Sequence, residues 1–209
     1  MPKFAANLTM LFNEVSFLDR FKKASEAGFQ AVEFLFPYGF YAADIHKNLT
    51  HNQLLLVLHN LPAGDWDAGE RGIACHPDRV EEFREGVAKA IEYATVLGVK
   101  QLNCLAGKVP PGVSPEQLRS TFVQNLRYAS EQLHKADLRL LIEPINTFDI
   151  PGFFLSHTEQ AIDIIHDHEV GVDNLFLQYN IYHAQRMEGE LASTIEKKSC
   201  QDYAYSTGG

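Results

Sequence analysis

Short, nearly unbroken apolar runs alternate along this chain with longer segments whose apolar positions recur at helical spacing. That alternation predicts βα units that build a parallel sheet. The runs Phe4–Leu11, Ala31–Phe36, Leu54–Asn60, Gln101–Gly107, Leu138–Ile145 and Leu175–Tyr182 are the predicted strands. They show little polar alternation, as expected where helices cover one face and packed side chains the other.

The segments between them carry helix signals of their own. Ser114-Pro115-Glu116-Gln117 reads as an N-cap with proline at the first helical position and Gln117 closing a capping box. Leu118, Phe122, Leu126, Ala129 and Leu133 then form one apolar stripe. Pro77 opens the preceding helix, its stripe is Val80, Phe83, Val87, Ile91 and Ala94, and Gly98 suits the left-handed position past its end. A first helix buries Phe17, Phe21 and Ala24 and stops at Gly28; weaker patterns cover Ala42–Asn52, Thr158–Glu169 and Gly189–Lys198. The long irregular stretch Leu61–His76 has the length at which a loop in a compact domain is usually functional.

A chain of 209 residues has room for one large core. Its formal net charge of −9 argues against a phosphate-backbone binder, so nucleic acid is not an expected partner. No run of about 18 uncharged apolar residues occurs and the start lacks an apolar signal segment, so no membrane partner is expected and the cytoplasm is the expected compartment. Cys75, Cys104 and Cys200 are odd in number and widely spaced, which argues against a disulfide framework and a zinc ribbon.

A closed (β/α)8 barrel takes about 250 residues, roughly 31 per unit, and six such units use about 190. The fold class expected is therefore α/β, a (β/α)8 TIM barrel that is incomplete, with about six βα units present. Residues 1–196 are read as a single partial barrel domain and residues 197–209 as a tail without strand or helix pattern. An open doubly wound sheet is the alternative; against it, no Gly-x-Gly-x-x-Gly follows the first strand.

In parallel α/β folds ligands meet the C-terminal ends of the strands. The polar residues standing there are Asn7, Glu33, His59 with Asn60, Asn103 with Lys108, Glu143 with Asn146, and Asn180 with His183. Glu143 is the sharpest candidate, because it ends an apolar strand just before Pro144 and a carboxylate there needs a cation, a metal or a donor. Glu33 reads equally as a structural or a catalytic group, and His59 as a ligand for a substrate oxygen or a satisfied core histidine. Arg71 and Lys108 are the loop cations best placed for an anionic substrate. No nucleophile motif is present. An oxygen-rich set around Glu143 would suit a hard divalent ion such as Mg²⁺ or Mn²⁺.

The segments Phe4–Phe12, Ala31–Tyr38, His59–Trp66, Gly69–Gly72, Ile142–Asn146 and Tyr182–Gly189 together resemble the hydroxypyruvate isomerase family of xylose-isomerase-like barrels. The match runs from residue 1 to about Ile195. The sister 2-oxo-tetronate isomerases share the opening strand and are the alternative. The resemblance implies interconversion of hydroxypyruvate and tartronate semialdehyde by metal-assisted proton transfer through an enediolate, on a small hydroxy or keto acid substrate. It implies Glu143 as the catalytic residue, Glu143 and Asn180 as metal ligands, and His59, Arg71, Lys108 and His183 as substrate contacts. Asn180 departs from the family's Asp in Tyr-Asp-x-x-His and removes one charge facing the cation. The family's remaining metal ligand and second catalytic Glu lie on strands seven and eight, past the matching region. The expectation is a truncated member with metal binding weakened or absent and activity impaired, or a non-catalytic remnant associating as a homo-oligomer through open barrel edges. A complete six-stranded binding module for a small acid is a further reading.

Overall fold

The computed structural model describes residues 3–167, 170–171 and 173–198. The tail 199–209, with Cys200, and the end of the Thr158–Glu169 pattern lie outside the described residues. Six strands form one sheet in sequence order: β1 (Ala5–Asn7), β2 (Ala31–Glu33), β3 (Leu55–Asn60), β4 (Gln101–Cys104), β5 (Arg139–Ile142) and β6 (Leu175–Leu177). Every neighbouring pair is parallel. This is the βα alternation the apolar pattern predicts, with each strand beside the one that precedes it.

Helices α1 (Arg20–Glu26), α2 (Ala42–His51), α3 (Val80–Leu97), α4 (Pro115–Lys135) and α5 (Thr158–Ile165) connect successive strands. The stripe on α4 is buried as expected, and Ser114 accepts the amide of Gln117 at 3.2 Å. On α3, Phe83, Val87, Ala90 and Ala94 are buried, and Gly98 closes the helix at φ 72°. Phe21, Phe122, Leu102, Leu140 and Ile142, all essentially without exposure, fill the layer between helices and sheet.

The strands are shorter than the apolar runs, and each shortening has a local cause. β1 stops at Asn7 because its carbonyl accepts the amides of Met10 and Leu11 and its side chain accepts that of Thr9, which turns the chain. β6 stops at Leu177 although the run continues to Tyr182. The side chain of Asn180 accepts the amides of Tyr182 and His183 and starts a helix, α6 (Ile181–Met187), inside the run. A last helix, α7 (Leu191–Lys198), begins after Gly189 at φ 68°.

The stretch Leu61–His76 is fixed rather than loose. Gly72 donates to Ala63, Cys75 to Ala106, and Asn125 of α4 holds the Ala74 carbonyl at 2.9 Å. Gly72 has φ 112°, and a Cβ there would lie 2.3 Å from the Leu105 carbonyl oxygen. Only glycine lets this loop lie against the end of β4.

Candidate active site

Register decides which side chains face the inside of the curved sheet. Asn60 pairs with Asn103, and Asn103 with Leu141, so the next inward residue on that fifth strand line is Glu143. His59 pairs with Leu102 and belongs to the opposite face. A cavity of about 450 Å³ stands at these strand ends, with Glu33, Asn60, Trp66, Glu143, Gln178 and His183 on its walls.

Glu143 is the centre of a tight polar set. Its Oε2 accepts from Asn103 Nδ2 at 3.0 Å and its Oε1 from Asn180 Nδ2 at 3.0 Å. Asn103 also donates to Asn60 Oδ1 at 3.2 Å. Burial pushes the Glu143 carboxyl up to about 7, repulsion from Glu33 adds to that, and the amides of Asn180 and Asn103 oppose it. Glu33 lies in the same cavity; burial raises it as well, against a 3.0 Å hydrogen bond from Asn7. Two carboxyl groups in one cavity, one balanced near neutrality, form a site that can take and return a proton.

Across the cavity the end of β5 and the start of α6 meet. Tyr182 donates its hydroxyl to Asp149 Oδ2 at 2.7 Å, and Asn146 Nδ2 lies 2.9 Å from the same oxygen and 2.7 Å from His183 Nδ1. The side-chain amide of Asn146 and the hydroxyl of Tyr182 hold the Asp149 carboxyl below its usual range, and burial lowers the His183 imidazole.

Of the six residues expected to form the site, Glu143, Asn180 and His183 meet in the cavity. The other three stand elsewhere. His59 is fully buried in the helix-facing layer, stacked on Phe34 and edge-on to Tyr38, with burial lowering it to about 4. Arg71 lies over the Trp66 ring at 4.0 Å and donates to the carbonyls of Trp66 and Glu70, and it is not among the residues that line the cavity. Lys108 donates to the Gly69 carbonyl at 2.8 Å and ties down the Leu61–His76 loop. Residues not singled out in the sequence also line the cavity: Gln178, whose buried Oε1 has no partner among the described residues, Trp66 and Asp149. Gln178 could have been found from strand periodicity, because it lies two residues before Asn180 and shares its face.

The oxygen donors expected around Glu143 are in part engaged in hydrogen bonds. Each Glu143 oxygen accepts one amide N–H, and Asn180 directs its N–H, not its oxygen, at Glu143. The orientation is not interchangeable, because Asn180 Oδ1 is committed to the amides of Tyr182 and His183. Among the described residues no group of three His, Cys, Asp or Glu is arranged to hold a metal. As hydrogen-bonded, Asn180 therefore offers an ion beside Glu143 an N–H and not an oxygen.

A parallel sheet wound in sequence order, with a buried carboxylate facing a cavity at its strand ends, has the build of a TIM-barrel protein. The chain belongs to the xylose isomerase-like TIM barrel family, whose model matches residues 21–204. It is 59% identical over 195 residues to hydroxypyruvate isomerase of Escherichia coli, covering 93% of this chain and 75% of that protein. It is 43% identical over 197 residues to a 2-oxo-tetronate isomerase of Cupriavidus necator, covering 94% and 75% respectively. Among solved structures, AP endonuclease, family 2 from Brucella melitensis superposes with a TM-score of 0.90 at 44% identity, over 94% of this chain and 75% of that one. Among the described residues no helix is long and apolar enough to cross a membrane.

Proposed function

We propose that this protein is an isomerase of the hydroxypyruvate isomerase type, which interconverts hydroxypyruvate and tartronate semialdehyde by proton transfer at adjacent carbons. The observation that carries the reading is Glu143, a buried carboxyl poised near neutrality in the cavity of a chain 59% identical to a hydroxypyruvate isomerase. Glu143 removes a proton from C3 of hydroxypyruvate, and the electron pair of that C–H bond forms an enediolate across C2 and C3. Returning the proton to C2, while the hydroxyl proton passes from O3 to O2, gives the aldehyde. A base with a value near the working pH suits both directions, since it is neither fully protonated nor too weak to accept. No step is assigned to a metal.

The cavity wall offers an acceptor to a small hydroxylated substrate. Gln178 Oε1, on the cavity wall, is a buried acceptor with no partner among the described residues, and a substrate hydroxyl would satisfy it. The test is exchange of the C3 protons of hydroxypyruvate in D₂O, followed by proton NMR with the purified chain. Wild type is expected to exchange them and Glu143→Gln is not. Exchange equal to the buffer rate in wild type would overturn the assignment, and exchange confined to a 2-oxo-tetronate would favour the sister activity.

A further inference from the structure

Asn146 is fully buried in the loop after β5 and makes four polar contacts with Asp149 and His183, whose directions can be worked out from the two that admit no ambiguity. Its Oδ1 accepts the backbone N–H of Asp149 at 2.9 Å. A backbone amide can only donate, so this oxygen is correctly assigned and the amide cannot be turned over without setting two donors against each other. Its Nδ2 lies 2.9 Å from Asp149 Oδ2, a carboxylate oxygen that also receives the Tyr182 hydroxyl. One Nδ2 hydrogen is thereby used, and the other points at His183 Nδ1, 2.7 Å away. The backbone N–H of Asn146 approaches the same ring nitrogen at 3.4 Å.

Two donors therefore converge on His183 Nδ1, which must offer its lone pair to them. A hydrogen on Nδ1 would meet both head-on. The ring proton belongs on Nε2, which takes no hydrogen bond among the described residues, and the ring lines the cavity that holds Glu143. We infer that Asn146 is a positioning residue that holds His183 as the neutral Nε2–H tautomer, with this N–H as donor to a substrate oxygen in the cavity. The tautomer stands on geometry alone, whereas its use as a donor rests on the proposed isomerase function. In that function a neutral N–H donor can stabilise the developing enediolate oxygen without losing its proton to it, while Glu143 handles the proton at carbon.

The tautomer is read directly by long-range proton–nitrogen correlation NMR on the ¹⁵N-labelled full chain, without substrate, at about pH 8, above the ordinary histidine range. The resonances of His183 are those lost in His183→Phe. Wild type is expected to show a protonated Nε2 and a bare Nδ1. Asn146→Asp replaces the donor with an acceptor and is expected to move the proton to Nδ1, while Asn146→Gln, an amide that can still donate, is expected to retain more of the Nε2–H form. A wild-type ring protonated on Nδ1 would overturn the inference, whatever the variants do. For the donor role, His183→Phe is expected to lower kcat on the order of 100-fold with KM changed far less. An Nε2–H ring with unchanged kcat in His183→Phe would remove the donor role. Loss of wild-type turnover altogether would count against the isomerase reading, and the spectrum would still decide the tautomer.

Discussion

Replacing Glu143 by glutamine should change the pH dependence of stability in a direction that buried carboxylates paired with cations never show. In the folded chain burial lifts the Glu143 carboxyl from an ordinary 4.5 to about 7. A group whose folded value lies above its unfolded value binds more protons when folded, so its contribution to stability is complete below about 4.5 and is lost as pH rises to about 7. At about 1.4 kcal/mol for each tenfold change, that gap corresponds to about 3 kcal/mol. The glutamine of Glu143→Gln cannot ionise and removes the dependence. It also brings its own cost, since both Glu143 oxygens accept from amides and the replacement offers one of them an NH₂ instead. That cost, about 1–3 kcal/mol for a mismatched buried pair, does not vary with pH. Denaturant unfolding of both proteins at about pH 5 and about pH 8 separates the two parts. The variant should be the less stable at the lower pH and gain on wild type by about 2–3 kcal/mol at the higher. A stability difference that is the same at both values would show that Glu143 is not held protonated by its surroundings, and the proton-transfer role built on its balance near neutrality would go with it.

Asn180→Asp places a carboxylate oxygen where an N–H now stands 3.0 Å from Glu143 Oε1; added Mn²⁺ should then raise the melting temperature of the variant, by about 2–4 °C for each kcal/mol of binding, and leave wild type nearly unmoved. An equal rise in wild type, measured by calorimetry, would show that the amide clamp does not exclude a cation. Gly72→Ala puts a Cβ 2.3 Å from the Leu105 carbonyl oxygen at φ 112°, and should cost at least about 2 kcal/mol and open the Leu61–His76 loop to limited proteolysis. Ser114→Ala removes the side-chain acceptor for Gln117 at the start of α4 and should cost about 1 kcal/mol in urea unfolding.

The order of elements was legible in the amino-acid pattern because a strand covered on both faces must be apolar throughout, and Leu140–Ile142 and Leu102 with Cys104 meet that demand. The ends of the strands were not, since the chain stays apolar after the ladder stops. Ile145 and Tyr179 are as buried as strand residues, yet they belong to the loops that roof the cavity. Helix α6 was hidden for the same reason: its cap, Asn180, sits inside an apolar run, where a polar residue reads as a strand-end ligand. Two jobs fall to that one side chain, and the capping job dictates the chemistry of the other. With Oδ1 bound to the amides of Tyr182 and His183, only the N–H remains for Glu143, so the residue that by position resembles a metal ligand becomes a hydrogen-bond donor.

His59 shows the converse. Its type suited a ligand, but strand alternation sets Leu58 and Asn60 towards the cavity, and His59 between them must face the helices, where it stacks on Phe34. Arg71 and Lys108 lie on loops, which have no period to read, and their placement follows from contacts distant in sequence, Lys108 to Gly69 and Gly72 against Leu105. Trp66 thereby stands on the cavity wall, with Arg71 stacked on its ring. Residue types and strand positions thus indicate where the chemistry gathers. What each group offers there, an oxygen or an N–H, is decided by the backbone amides around it, as Asn146 and Asn180 both show: each has its carbonyl oxygen taken by the main chain and so can only donate to the side chain it faces.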